Sequence, residues 1–226
     1  MLGEPVMETV RSLLTLGNMK VGESIHLWST PAVDTCPGAT ETCKAVCYAN
    51  GRGHYRFDAV KERLRWNLEQ SRLDSFVPRM VKDIRRKGAL VIRVHASGDF
   101  GDEVYARKWL TIMRQCPRPR FYFYTRSWRI PSIAPALEEM AALKCCRAWY
   151  STDRDTGLPD RIPPGVRLAF LQVSEDDTVE NSDLLFRVRR LRKDKKRIGL
   201  PTLCPSETQR GRDRDVNCGN CTRCFS

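Results

Sequence analysis

Short β-rich runs alternate with longer amphipathic stretches along most of this chain. The runs, such as Arg120–Thr125, are rich in the apolar and aromatic residues of buried strands, and the stretches between them repeat apolar residues at helical spacing. The predicted strands cover residues 19–29, with the alternation at 25–28, and residues 89–94, 120–125, 147–151 and 166–173. The helices begin near residues 56, 76, 105 and 132. Helical connections between successive strands predict an α/β fold with a parallel sheet and right-handed crossovers. Because too few strand–helix units are present to close an eightfold barrel, we predict an incomplete (β/α) barrel.

Polar residues follow the predicted strands directly. The carboxyl ends of parallel strands lie at one edge of a sheet, and that edge is where such folds bind ligands. The candidate binding residues at these positions are Ser97, Gly98, Asp99, Thr125, Arg126, Ser151 and Asp153. Each of them is also a common turn or capping residue, so only their joint position favours a site.

Three cysteines lie in a turn-rich loop after the first predicted strand. Six residues separate Cys36 from Cys43, and three separate Cys43 from Cys47. Three thiolates can bind three irons of a cubane [4Fe–4S] cluster, which leaves the fourth iron open to a small molecule. The alternative is a zinc site completed by a histidine such as His54.

A second cysteine group lies near the end of the chain. It consists of Cys204, Cys218, Cys221 and Cys224, with two residues between successive members of the last three. Four thiolates would close a site, which predicts a structural or electron-transfer role. The spacing favours [4Fe–4S] over zinc, whose cysteine ligands more often form two separated pairs, but zinc stays open. The other cysteines, Cys116, Cys145 and Cys146, are predicted to be buried thiols.

The cellular compartment bears on whether the cysteines form disulfides or bind metal. No apolar run is long enough to cross a bilayer, and the first residues lack the features of a signal peptide, so we predict a cytoplasmic protein that does not bind a membrane. Disulfides are rare in the cytoplasm. Ten cysteines in 226 residues therefore favour metal binding.

The chain is strongly basic. It carries 39 Lys and Arg against 27 Asp and Glu, a net charge of +12, which predicts a polyanionic partner such as nucleic acid. Eight basic residues lie between Arg187 and Arg197. This segment is either a solvated helix or a surface that follows a phosphate backbone.

A three-cysteine loop after the first strand of a parallel barrel resembles the radical S-adenosylmethionine enzymes, although their usual spacing is three and then two residues. Over most of its length the chain also resembles the phage- and plasmid-borne gene product eighty-eight family. The stretches that carry this likeness are Cys43-Lys-Ala-Val-Cys47-Tyr-Ala, His95-Ala-Ser-Gly-Asp-Phe100, Tyr124-Thr-Arg-Ser127 and Trp149-Tyr-Ser-Thr-Asp153.

The resemblance implies a partial barrel of radical S-adenosylmethionine type over residues 1–200 and a four-cysteine cluster segment over residues 201–226. It implies one or two [4Fe–4S] clusters, S-adenosylmethionine as the small-molecule cofactor and an electron donor as a partner. Ser97-Gly98-Asp99 would then bind the amino group of the methionine moiety. Arg126 would pair with its carboxylate or with a substrate phosphate, and Ser151 and Asp153 would hold ribose hydroxyls or a substrate. Reductive cleavage of the cofactor would direct a 5′-deoxyadenosyl radical at a substrate, such as a nucleic acid or nucleotide.

Two other functions remain open at the level of sequence. The first is a protein that binds or processes nucleic acid and uses its clusters as structural elements, which the basic composition favours. The second is a zinc-binding interaction module.

Overall fold

The computed structural model describes residues 11–178, 181–188, 190–191 and 202–226. Within them the strands are β1 Thr15–Leu16, β2 Ile25–Trp28, β3 Val91–Val94, β4 Arg120–Thr125, β5 Cys146–Thr152, β6 Val166–Gln172, β7 Leu184–Arg187 and β8 Thr202–Leu203. The α-helices are α1 Glu41–Ala45, α2 Asp58–Arg72, α3 Phe76–Lys87, α4 Glu103–Gln115, α5 Ala134–Ala141, α6 Gln209–Asp213 and α7 Cys218–Cys221.

The eight strands form one sheet in which neighbours in sequence are neighbours in space. All adjacent pairs from β2 to β8 are parallel, and only β1 runs antiparallel, against β2. This order never reverses. Successive right-handed crossovers therefore place the connecting helices on a single side of the sheet.

The helix-covered side of the sheet contains the main core. Helices α3, α4 and α5 pack against side chains that alternate along the strands, among them Trp28, Val94 and Phe123. In β4 the alternation places Phe121 and Phe123 on this side, which we call the helix face. Tyr122 and Tyr124 point to the other side, which we call the cysteine face because the C-terminal cysteines pack there.

The predicted α/β class and parallel sheet are confirmed, as are the five predicted strands and four predicted helices. Strands β1 and β8 were not predicted, because two residues are too few to show a period. Strand β7 was also missed. Its last residue, Arg187, begins the predicted basic segment, but its guanidinium is buried and its Nε donates to Gln172 Oε1 at 2.8 Å.

Several predictions fall outside the described residues. They include Arg189 and residues 192–197 of the basic segment, the domain boundary at residue 200, and the first ten residues. Among the helices that the structure does describe, none is both long enough and apolar enough to span a bilayer.

Candidate metal centres

None of the ten cysteines, all of which are described, forms a disulfide. Three of them, Cys116, Cys145 and Cys146, are buried thiols, as predicted, and belong to the core of the helix face. The other seven form two groups. We call Cys36, Cys43 and Cys47 the loop cysteines, and Cys204, Cys218, Cys221 and Cys224 the C-terminal cysteines.

The loop that carries the loop cysteines is held against the carboxyl ends of β4 and β5. Gly38 packs so closely on the turn after β4 that a Cβ atom there would lie 2.0 Å from the Arg126 carbonyl oxygen. Arg129 Nη1 donates to the Gly38 carbonyl at 3.0 Å, and Thr40 Oγ1 donates to Asp153 Oδ2 at 2.7 Å. Contacts from two different strand ends therefore fix this loop where parallel sheets bind ligands.

The loop cysteines are electrostatic neighbours. The pKa of Cys36 is raised to about 12, chiefly by burial and also by the negative charges of Asp99, Cys43 and Cys47. The pKa of Cys43 is also raised, chiefly by burial, although the Arg126 guanidinium opposes that shift by charge and by a hydrogen bond. These two thiols are thus protonated at neutral pH, and a metal would have to displace their protons.

A buried ion pair supports Cys43. Arg126 Nη1 lies 2.9 Å from Asp153 Oδ2, and both side chains are almost inaccessible to solvent. The other carboxylate oxygen of Asp153 accepts hydrogen bonds from the backbone N–H groups of Asp155 and Thr156. A charge pair this deep is tolerated because the two charges face each other and both Asp153 oxygens accept hydrogen bonds.

Asp99 is fully engaged with backbone and hydroxyl donors. Its Oδ1 accepts hydrogen bonds from Thr125 Oγ1 at 2.6 Å and from the Phe100 N–H at 2.8 Å, and its Oδ2 accepts one from the Arg126 N–H at 2.8 Å. Burial raises the pKa of Asp99, and these hydrogen bonds oppose the shift. The carboxyl group therefore ties the turn after β3 to the turn after β4.

Ser97 and Gly98 join the same turn to the chain that leads into the cysteine loop. Ser97 Oγ donates to the Thr30 carbonyl at 2.9 Å. Gly98 has a φ of +78°, and a Cβ atom on it would lie 2.0 Å from Thr30 Oγ1. Both the backbone conformation and the space require glycine here.

The structure thus brings together all seven candidate binding residues and the loop cysteines at one edge of the sheet. The polar side-chain atoms of Ser97, Asp99, Thr125, Arg126 and Asp153 bond mainly to one another, to backbone groups or to the cysteine loop. Ser151 contributes its carbonyl oxygen, which accepts from Trp128 Nε1 at 3.1 Å. Their role as ligands of a bound cofactor remains a prediction, whereas the structure gives them a role in positioning the loop.

The four C-terminal cysteines line a single pocket, together with Leu184, Pro205, Ser206, Asn217 and Arg223. Helix α7 carries two of them and begins with a capping box in which Asn217 and Asn220 exchange side-chain and backbone hydrogen bonds. The segment is anchored to the chain before β2, because the Cys218 N–H donates to the Lys20 carbonyl at 3.0 Å. Cys204 is thereby brought beside the closely spaced Cys218, Cys221 and Cys224.

The cysteine face of the sheet supplies polar groups to these thiols. Tyr124 Oη donates to Cys224 Sγ at 2.8 Å, and Trp149 Nε1 donates to the Cys224 carbonyl at 2.9 Å. Charge interactions also connect Arg93 with Cys218 and Cys224. Tyr124, Trp149 and Arg93 were not among the residues predicted from the sequence. The alternation within β4 could have indicated Tyr124, since it places Tyr122 and Tyr124 on the side of the sheet away from the helices.

Within the described part of the chain, no three His, Cys, Asp or Glu side chains are arranged to hold one metal ion. The thiolates of a cubane cluster bind different irons and need not surround one point. The loop cysteines supply three thiols at the carboxyl edge of the sheet, and the C-terminal cysteines supply four around one pocket. Both arrangements fit the ligands of a cubane cluster.

Comparisons with known proteins place the chain among phage proteins. The family model described as "Gene product 88" matches residues 9–226. The "Gene 88 protein" of Mycobacterium phage L5 is 37% identical over 123 residues, which are 49% of this chain and 51% of that protein. The protein of the same name from Mycobacterium phage D29 is 33% identical over 123 residues, 49% of this chain and 50% of that protein. The chain therefore spans about half the length of these curated relatives, and no solved structure matches it.

Proposed function

This chain belongs to the gene product 88 family, and we propose that it is an iron–sulfur protein that resembles the radical S-adenosylmethionine enzymes. In this proposal the loop cysteines hold an open-site [4Fe–4S] cluster, and the C-terminal cysteines hold a second, fully ligated one. The sheet is an incomplete (β/α) barrel that carries the open site at its carboxyl edge.

The position of the loop cysteines is the single observation that carries the proposal. They are three unpaired thiols at the strand ends, held by Gly38, Thr40 and Arg129 rather than by each other. Three thiolates leave one iron without a protein ligand, and an open iron is a binding site for a small molecule.

When bound, a reduced cluster of this kind supplies one electron for cleaving S-adenosylmethionine. The residues around it have separate tasks. Arg126 donates a hydrogen bond to Cys43 and is oriented by Asp153, so that one ligand sulfur is stabilised as a thiolate. Asp99 locks the turns after β3 and β4, which keeps the edge of the site rigid.

The experiment is anaerobic purification followed by iron and sulfide analysis and an assay for 5′-deoxyadenosine with excess reductant. We expect about eight irons per chain, and about four after Cys43→Ala. The matched control is Cys116→Ala, which removes a buried core thiol and should leave the iron count unchanged. Zinc without sulfide would overturn the cluster assignment. A full iron count without cofactor cleavage would overturn the radical chemistry alone.

A further inference from the structure

Arg93 lies on the cysteine face, close to the C-terminal cysteines Cys218 and Cys224. It belongs to β3, paired in register with Leu27 on one side and Tyr122 on the other. Its guanidinium stacks over the rings of Tyr122 and Tyr124, at 6.0 and 5.7 Å from their centroids. Charge interactions link it to Tyr48, which follows the last loop cysteine, and to Cys218.

This guanidinium has no acceptor in the part of the chain that the structure describes. An arginine presents five N–H donors, yet no carboxylate or carbonyl lies within bonding distance of Arg93, and its Nε is both buried and unpartnered. The side chain is partly buried, and a cation that is partly removed from water without a counter-charge is costly. An anionic group bound beside Arg93 would compensate this charge.

Two tyrosine hydroxyl groups point toward the same place. Tyr124 Oη donates to Cys224 Sγ, and the hydroxyl of Tyr122 is buried without a partner beside Cys218. The thiols of Cys218 and Cys224 become acceptors of these donors once they are thiolates. Four thiolates bound to iron and sulfide carry a net negative charge, which supplies the counter-charge that Arg93 lacks.

We propose that Arg93, Tyr122 and Tyr124 compensate the charge of the C-terminal cluster and raise its reduction potential, so that this cluster accepts an electron. The inference rests on the proposed function. In the redox step, one electron passes from a low-potential one-electron donor, such as dithionite or a reduced iron–sulfur protein, to the cluster. The donor is oxidised by one electron, and the cluster becomes more negative by one unit. A nearby cation and hydrogen bonds to the sulfurs favour that reduced state.

The test uses the full chain with Cys36, Cys43 and Cys47 replaced by Ala, so that only the C-terminal cluster remains. Its midpoint potential is measured by a dithionite titration followed by electron paramagnetic resonance. We expect Arg93→Gln and Tyr124→Phe each to lower the potential. At a fixed solution potential, the ratio of reduced to oxidised cluster should fall about tenfold for Arg93→Gln, which equals about 59 mV for a one-electron couple.

Matched controls come from the helix face. Tyr150→Phe removes a buried hydroxyl group that also lacks a partner, and Arg85→Gln removes an exposed guanidinium. Both should leave the potential unchanged. If Arg93→Gln does not fold, Tyr124→Phe decides alone. A normal iron count with unchanged potentials would overturn this inference only, whereas absence of iron and sulfide would overturn the second cluster of the proposed function and this inference with it.

Discussion

Single residues set how closely the loops pack at the carboxyl edge of the sheet. Gly38 and Gly98 leave no room for a side chain, and Asp99 and Asp153 each accept several hydrogen bonds from neighbouring loops. Close packing of this kind orients the loop cysteines without any direct bond between them. A substitution at Gly38 measures how much this packing contributes to the free energy of unfolding.

Gly38→Ala should destabilise the protein by about 1–3 kcal/mol, because the new methyl group would be forced against the Arg126 carbonyl oxygen. Iron binding at the loop cysteines should fall as well. Urea unfolding and iron analysis measure the two effects. Gly101→Ala is the control, since the nearest atom to a Cβ there lies 3.8 Å away. Equal stability of the two variants would contradict the packing argument.

His95 should make the protein acid-sensitive. It is buried, its Nε2 lies 2.8 Å from Tyr105 Oη, and burial lowers its pKa from 6.5 to about 3. Below pH 6.5 the His95 imidazole binds a proton in the unfolded chain, whereas in the folded chain it stays neutral down to about pH 3. Stability is therefore complete above pH 6.5 and falls by up to about 1.4 kcal/mol per pH unit below it.

Urea unfolding between pH 7 and pH 5 tests the role of His95. His95→Asn should flatten the pH dependence, and Asn tolerates the positive φ of +62° found there. His54→Gln, at an exposed position, should keep the wild-type slope. An unchanged slope in His95→Asn would show that another group is responsible.

At the scale of elements, the C-terminal segment from β8 to residue 226 has few apolar contacts of its own. Strand β8 pairs with β7 through two residues, and Phe225 and Cys224 rest on the aromatic side chains of the cysteine face. Helices α6 and α7 contain five and four residues. Helices this short are not stable alone. A metal bound by the C-terminal cysteines, as the proposed function requires, would contribute folding free energy to the segment.

If the C-terminal cysteines bind a metal as proposed, its removal should make this segment more accessible to trypsin. We expect faster cleavage after Arg210, Arg214 or Arg223 in the chelated protein and in Cys221→Ala, read by mass spectrometry. Cleavage after Arg107, on α4, should not change, because that helix packs in the main core. Equal rates after Arg214 with and without metal would contradict a structural contribution of the cluster.

At the scale of the whole molecule, the net charge of +12 favours a polyanion as partner. Binding to DNA or RNA should then weaken as salt rises, with a slope set by the number of phosphates contacted. Replacing Lys193, Lys195 and Lys196 by Gln should reduce that slope by about one unit per lost contact. The same change at Lys61, Lys87 and Lys144 is the control. Binding that is absent, or insensitive to salt, would show that the partner is not a nucleic acid.

Sequence patterns were enough to predict five of the eight described strands in their order, the four helices of the crossovers, the parallel sheet and the position of the cysteine loop. These follow from periods of two and 3.6 residues and from the handedness of crossovers, which act over short stretches. The same reasoning placed the seven candidate residues at one edge, because carboxyl ends of parallel strands coincide.

The contacts of those residues depend on the folded chain and could not be predicted from the sequence. Asp99 and Asp153 were predicted to face a ligand, but their carboxylates bond to donors in neighbouring loops, and nothing local in the sequence indicates such partners. The pairing of Tyr124 with Cys224 joins positions 100 residues apart. Arg93, on a strand of four residues, lies close enough to Cys218 for their charges to interact. Hydrogen bonds and charges act through space over a few ångströms. The partners of these side chains therefore depend on how the loops and the C-terminal segment pack on the sheet, not on spacing along the chain.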